Sequence, residues 1–194
     1  MSFRSGVPLF FALLAIVGVV ETCFGRRFWS SRDSQCTIDG DVNANPSSLC
    51  CGDVWSPSHI VHGLVLYLVF MFHMEKKIVE TGNAKVSTDN DVSNSKDLSP
   101  GTWKSLGCTL LIEALWEMIE NHNYIILRFR DNGYYGDSVI NSFSDIICCL
   151  LGWILAHHLK THHTIALIVA MEATCYQMFG QNMLSVFFTL VTNK

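Results

Sequence analysis

Residues 103–121 read WKSLGCTLLIEALWEMIEN, an apolar run that carries Glu113, Glu117 and Glu120 and ends on Asn121. Its length matches the roughly 20 residues a helix needs to cross a bilayer. Yet an ionisable side chain in hydrocarbon costs about 2.5–3.5 kcal/mol even on the cheaper scales. Such residues face a bundle interior, pair with one another and mark a site. Three glutamates in one span therefore predict partners on other helices.

The partners are visible on either side. The run from Ser58 to Met74 opens with His59 and His62, and the run from Ser138 to His157 carries Asn141 and Asp145, with Asp137 just before it. With 7–24 and 164–191 these make five apolar stretches, 7–24, 58–74, 103–121, 138–157 and 164–191. The fold class expected is all-α, a polytopic membrane bundle of four to five transmembrane helices forming a single membrane domain. The polar stretch 25–57 reads as an extramembrane loop and 75–102, rich in Lys, Asn, Asp, Ser and Thr, as a flexible polar insertion. Residues 122–136 read as a short connector. Gly180-Gln181-Asn182 breaks the last stretch and predicts a kink or an unwound turn.

Composition sets the outer limits. The chain has 194 residues, 49% of them hydrophobic, and a mean hydropathy of +0.29. A net charge of −4 gives no basic footprint for nucleic acid. Of eight cysteines, Cys36, Cys50 and Cys51 lie in the first loop and could pair in an oxidising compartment. Cys108, Cys148, Cys149 and Cys175 lie in apolar runs. The absence of a CxxC pair argues against a structural zinc site built on cysteine. Arg4 followed by the run from Val7 to Val20 has the form of a secretory signal peptide, but the lack of a small-x-small site favours an uncleaved helix. Lys and Arg divide seven to six between the two sides, and Lys76-Lys77, directly after the second stretch, tips the N-terminus toward the cytoplasm.

Topology brings the polar residues to one end. His59 and His62 begin the second span, Glu120 and Asn121 end the third and Asp137 begins the fourth, so alternating helices set all three groups on one membrane face. Glu113 and Asp145 each lie about 12 Å below that end at about 1.5 Å per residue. Helical phase puts Glu113, Glu117 and Glu120 within about 60° of each other, His59 and His62 about 60° apart, and Asp137, Asn141 and Asp145 at steps of about 40°. Each helix thus presents one polar stripe.

Two histidines three residues apart with several carboxylates suit zinc or another divalent metal. The metal candidates are His59, His62, Glu120, Asp137 and Asp145. His62, Glu117, Glu120, Asp137 and Asn141 are the candidates for acid–base or ligand roles, and Arg130, Asn121 and Tyr67 for holding substrate, Arg130 as an anion clamp. The bland alternative is a hydrogen-bond network that only ties helices together. Against it stands the number of acids, since Ser or Asn would serve as glue more cheaply. His157, His158, His162 and His163 sit at the other end and read as a solvated interfacial loop. Ser138, Ser142 and Ser144 read as caps and interhelical donors, because no nucleophile elbow accompanies them.

The segments HIVHG from His59 to Gly63, EALWEMIEN from Glu113 to Asn121 and YGDSVINSFSD from Tyr135 to Asp145 together resemble a family of small bacterial integral membrane proteins of unknown function. Ser56-Pro57-Ser58, Tyr67, Arg130, Gly25-Arg26, Cys36 and Asn182 fit its pattern as well. The insertion at 75–102 departs from it, as does Gly180-Gln181 where Arg-Asp is expected. A fainter similarity is to VanZ-like membrane proteins, through a His, a Glu, an Arg and the step from Asp137 to Asn141. Neither resemblance implies a reaction. Three functions stay open: an enzyme acting on a membrane lipid or other amphiphile with a divalent metal, a transporter or binding protein that would form a homo-oligomer, and a structural subunit of a membrane assembly.

Overall fold

In a computed structural model, residues 3–29, 51–52, 55–80, 100–129, 136–180 and 182–192 are described. They form seven helices: α1 (Phe3–Cys23), α2 (Ser56–Glu80), α3 (Pro100–Glu120), α4 (Asn123–Phe129), α5 (Val139–His158), α6 (Thr161–Phe179) and α7 (Met183–Thr192). The all-α class follows from the long apolar runs. Several ends differ from the expected ones. Six residues of the polar stretch 75–102 continue α2 and its last three begin α3, while the connector after Asn121 contains the short helix α4. The histidine-rich turn shrinks to Leu159-Lys160, because α5 runs through His158 and α6 starts at Thr161.

Local chemistry sets the starts and stops. Ser138 caps α5, its hydroxyl accepting from the Asn141 amide at 3.3 Å. The Val139 and Ile140 amides donate to the carbonyls of Arg27 and Phe28, so the chain leaving α1 closes over the first turn of α5. Gly180 ends α6 in the left-handed region at φ 69°, where glycine carries no Cβ penalty. The expected break in the last stretch is thus a true separation into two helices.

Two elements of packing position the site. On one side, Leu13 and Val17 of α1 meet Leu110 and Ala114 of α3 and Ile146 of α5 in an apolar core. On the other, α2 lies against α5 at backbone contact: a Cβ on Gly63 would overlap the Cys149 carbonyl, and one on Gly152 would overlap the Ile60 carbonyl. Small residues that let backbones approach this closely are a hallmark of membrane helix pairs. Trp153 then donates its indole N–H to the Ser105 hydroxyl at 3.1 Å, linking α5 to α3. Trp103 is buried and packs on Gly6.

The described interior is rich in polar groups. Among the described buried residues, sixteen are polar or charged and fourteen hydrophobic, whereas acids are almost never fully buried in water unless paired. Outward-facing positions include Phe11, Ile16, Leu111, Leu115, Leu151 and Val169. Two described helices, Gly6–Cys23 and Val139–His158, are long and apolar enough to cross a membrane by length and composition.

Candidate metal centre

α2 enters the centre with His59 and His62 one turn apart, α3 supplies Glu113 and Glu117 one turn apart, and α5 supplies Asp145. Glu113, 1% exposed, sits between the two imidazoles. Its Oε1 lies 2.5 Å from His59 Nδ1 and its Oε2 lies 3.0 Å from His62 Nδ1. A carboxylate can only accept, so both Nδ1 atoms donate. His59 Nε2 faces Asp145 Oδ2 at 3.8 Å, and Asp145 Oδ1 accepts from the Ser56 hydroxyl at 3.3 Å. His62 meets His59 and Trp116 edge to face.

Glu117 is the exception. It is 1% exposed, and its Oε1 stands 3.4 Å from His59 Nδ1, yet neither of its oxygens takes a hydrogen bond from any described group. Buried polar atoms are nearly always satisfied, so two orphan oxygens on one carboxylate call for a missing partner. Two groups in the cluster have donor atoms close enough to share an ion: His59, His62 and Glu113, and His59, Glu117 and Asp145, each with all atoms within 4.8 Å. Both use His59. Imidazole nitrogens and carboxylate oxygens are the donor types that zinc and other divalent cations take.

The remaining sequence candidates separate from this centre. Glu120 and Asp137 stand outside both groups of metal-capable residues among the described residues. Glu120 is the last residue of α3 and is half-buried. Asp137 precedes the N-cap of α5, so the helical phase assumed for it does not apply. Asn121 is fully buried and ties three elements: its Nδ2 donates to Ser142 Oγ at 3.2 Å and Glu21 Oε1 at 3.4 Å, and its Oδ1 accepts from the Asp137 amide at 2.7 Å. Asn141 is buried on the same face of α5 as Asp145. Tyr67 sits away from the acids, its hydroxyl 3.5 Å from His157 Nδ1 and its ring edge-on to Trp153. Arg130, Cys36 and Cys50 lie outside the described residues, and no disulfide forms among the described cysteines.

Glu21 escaped the sequence reading. It is fully buried beneath Asn121, with Oε2 unpartnered among the described groups. A lone acid closing an apolar run was the available signal, masked by the resemblance of that run to a signal peptide. Glu172 is buried too, but its carboxylate accepts from the Met183 and Leu184 amides at 3.3 and 3.1 Å. It caps α7 and folds the elbow after α6.

Comparisons place these residues in a known group. Residues 22–192 match the family described as "Protein of unknown function (DUF2585)". A UPF0314 protein of Paracoccus denitrificans is 32% identical over 155 residues, covering 75% of this chain and 68% of that protein. Another, of Sphingopyxis alaskensis, is 28% identical over 173 residues, covering 87% and 80%. No solved structure matches the chain. Most of the chain, including every residue of the His59 cluster, lies within the matched span, and the chain belongs to the DUF2585 family, whose relatives here are UPF0314 proteins.

Proposed function

We propose that this protein is a multi-pass membrane helix bundle that binds a divalent metal such as zinc in the His59 cluster and uses it on the polar head of a lipid or similar amphiphile. The observation that carries the metal is Glu117: a fully buried carboxylate without a hydrogen bond from any described residue, grouped with His59 and Asp145. The polar interior supports the membrane setting, because aliphatic and aromatic side chains face outward on α1, α3, α5 and α6 while the acids and imidazoles of the cluster face inward. In that setting α2, α3 and α6 span alongside α1 and α5, their polar stripes shielded from lipid by one another.

A metal bound here supplies Lewis acidity toward a phosphoryl or acyl oxygen. His62, the more exposed imidazole at 20%, lies on the side from which substrate would approach. Arg130 is proposed to hold an anionic headgroup. A transport path would need further buried acids open to a solute, and the Glu172 carboxylate is occupied by the amides of α7. Metal analysis of the detergent-purified protein tests the proposal. Near-stoichiometric zinc, manganese or another divalent ion in the wild type, absent from His59→Ala, supports it, as does turnover of a bilayer lipid that depends on that metal. Wild-type protein that retains no divalent ion after equilibration with each would overturn it.

A further inference from the structure

The two metal-capable groups share His59 and so compete for one ion. The geometry points to His59, Glu117 and Asp145 as the ligands, and to Glu113 as a positioning residue that holds His59 and His62 in one tautomer from outside the coordination sphere. This rests on the metal-centre reading above and decides which atoms the metal touches.

Hydrogen bonding separates the two groups. Glu113 spends both oxygens on imidazole Nδ1 atoms, at 2.5 and 3.0 Å. Metal-bound histidines almost always donate their other ring N–H to a carboxylate or carbonyl, which fixes the ring and leaves the far nitrogen for the ion. Glu113 does this for His59 and directs its Nε2 toward Asp145. Were Glu113 itself the ligand, an ion would have to displace both hydrogen bonds. Glu117 has none to lose among the described residues.

Distances agree. Two ligands held about 2.0–2.1 Å from a tetrahedral zinc are about 3.4 Å apart. His59 Nε2 and Asp145 Oδ2 are 3.8 Å apart, a separation that closes with a small rotation of either side chain. The Ser56 hydroxyl on Asp145 Oδ1 leaves Oδ2 as the oxygen that faces the imidazole. Each of α2, α3 and α5 then contributes one ligand, and a fourth position stays open for water or substrate, the arrangement of catalytic rather than structural zinc.

Cobalt(II) titration of the metal-stripped, detergent-purified full chain, followed by visible absorption, tests the assignment. Wild-type protein should give ligand-field bands at one equivalent. Glu113→Gln should keep the same bands with affinity lowered about 10–100-fold, the usual cost of an outer-shell change. His62→Ala, at a more exposed position with less risk to folding, should keep the bands as well. Asp145→Asn and Glu117→Gln should abolish or alter them. Bands that vanish in Glu113→Gln and His62→Ala but persist in Asp145→Asn would overturn the assignment and put the ion on the other group. Wild-type protein that binds no cobalt would instead remove the metal reading itself.

Discussion

Glu172 and Glu117 are both buried acids on long helices, and the two regions around them treat the carboxylate in opposite ways. At the α6–α7 elbow, Glu172 takes the amides of Met183 and Leu184, and Asn182 donates its side-chain amide to the Glu172 carbonyl at 3.3 Å. The acid there works as a helix cap: it meets the positive end of α7 and closes a turn. In the His59 cluster, Glu117 has an imidazole within ion-pair distance and no hydrogen bond from any described group. A buried acid is therefore not in itself a sign of function. What matters is whether the fold has already supplied its partners.

The sharpest way to break this contrast is to neutralise both acids and follow the metal. Glu117→Gln removes a ligand, and metal affinity should fall by more than the about 100-fold that bounds outer-shell effects, leaving the purified variant depleted of metal. Glu172→Gln should leave the metal content unchanged. Emission spectroscopy on the purified variants reads both. Equal losses in the two would mean that the cluster and the elbow are one cooperative unit, and the contrast would fail.

Stability without metal should change in opposite directions. Glu172→Ala strips the first turn of α7 of its carboxylate, and hydrogen bonds to charged groups contribute about 1.5–3 kcal/mol. Its unfolding midpoint in detergent should fall. Glu117→Leu removes an unsatisfied buried carboxylate, whose desolvation penalty is about 1–3 kcal/mol, so the metal-free variant should melt higher than wild type. A lower midpoint for metal-free Glu117→Leu would show that Glu117 has a structural partner after all.

Much of the cluster was legible because helical phase is local. Three-residue and four-residue steps placed His59, His62, Glu113 and Glu117 on inward stripes, and alternating topology brought Asp145 to their level. Phase reasoning failed where the helix did not extend. Asp137 lies before the N-cap Ser138, so its side chain follows loop geometry, and its amide goes to Asn121. Glu120 and Glu117 share a stripe on paper, but Glu120 closes α3 at the rim of the bundle. Glu113 was visible as an acid, yet its double contact with both imidazoles required the rotamers of three side chains on two helices. The close approach of α2 and α5 was hidden for a related reason: Gly63 and Gly152 are far apart in sequence, and only the packed structure shows each against the other helix's backbone.

That approach gives the next prediction. Gly63→Ala places a methyl group against the Cys149 carbonyl, which has no rotamer by which to retreat. Overpacking of this kind costs about 1–3 kcal/mol. Separating α2 from α5 should also pull His59 from Asp145, so metal affinity and melting temperature should fall together, unlike either glutamate variant. A variant that lost stability but held metal with wild-type affinity would show that α3 alone positions the cluster.

The smallest effect should come from Trp153→Phe. Trp153 lies two turns along α5 from Asp145, and its indole N–H reaches Ser105 on α3. Phenylalanine keeps most of the ring but forfeits one neutral hydrogen bond, a net loss of about 0.5–1.5 kcal/mol. The stacked His157 and edge-on Tyr67 still pack against the remaining ring. A slight drop in unfolding midpoint with unchanged metal content is the expected result, because α3 and α5 are also joined through Leu110, Ala114 and Ile146. A fall in metal affinity instead would mean that this single bond sets the separation of α3 and α5 at the cluster. The ligands would then be held by the polar contacts between these helices, and the apolar core beside α1 would have no part in placing Glu117 against Asp145.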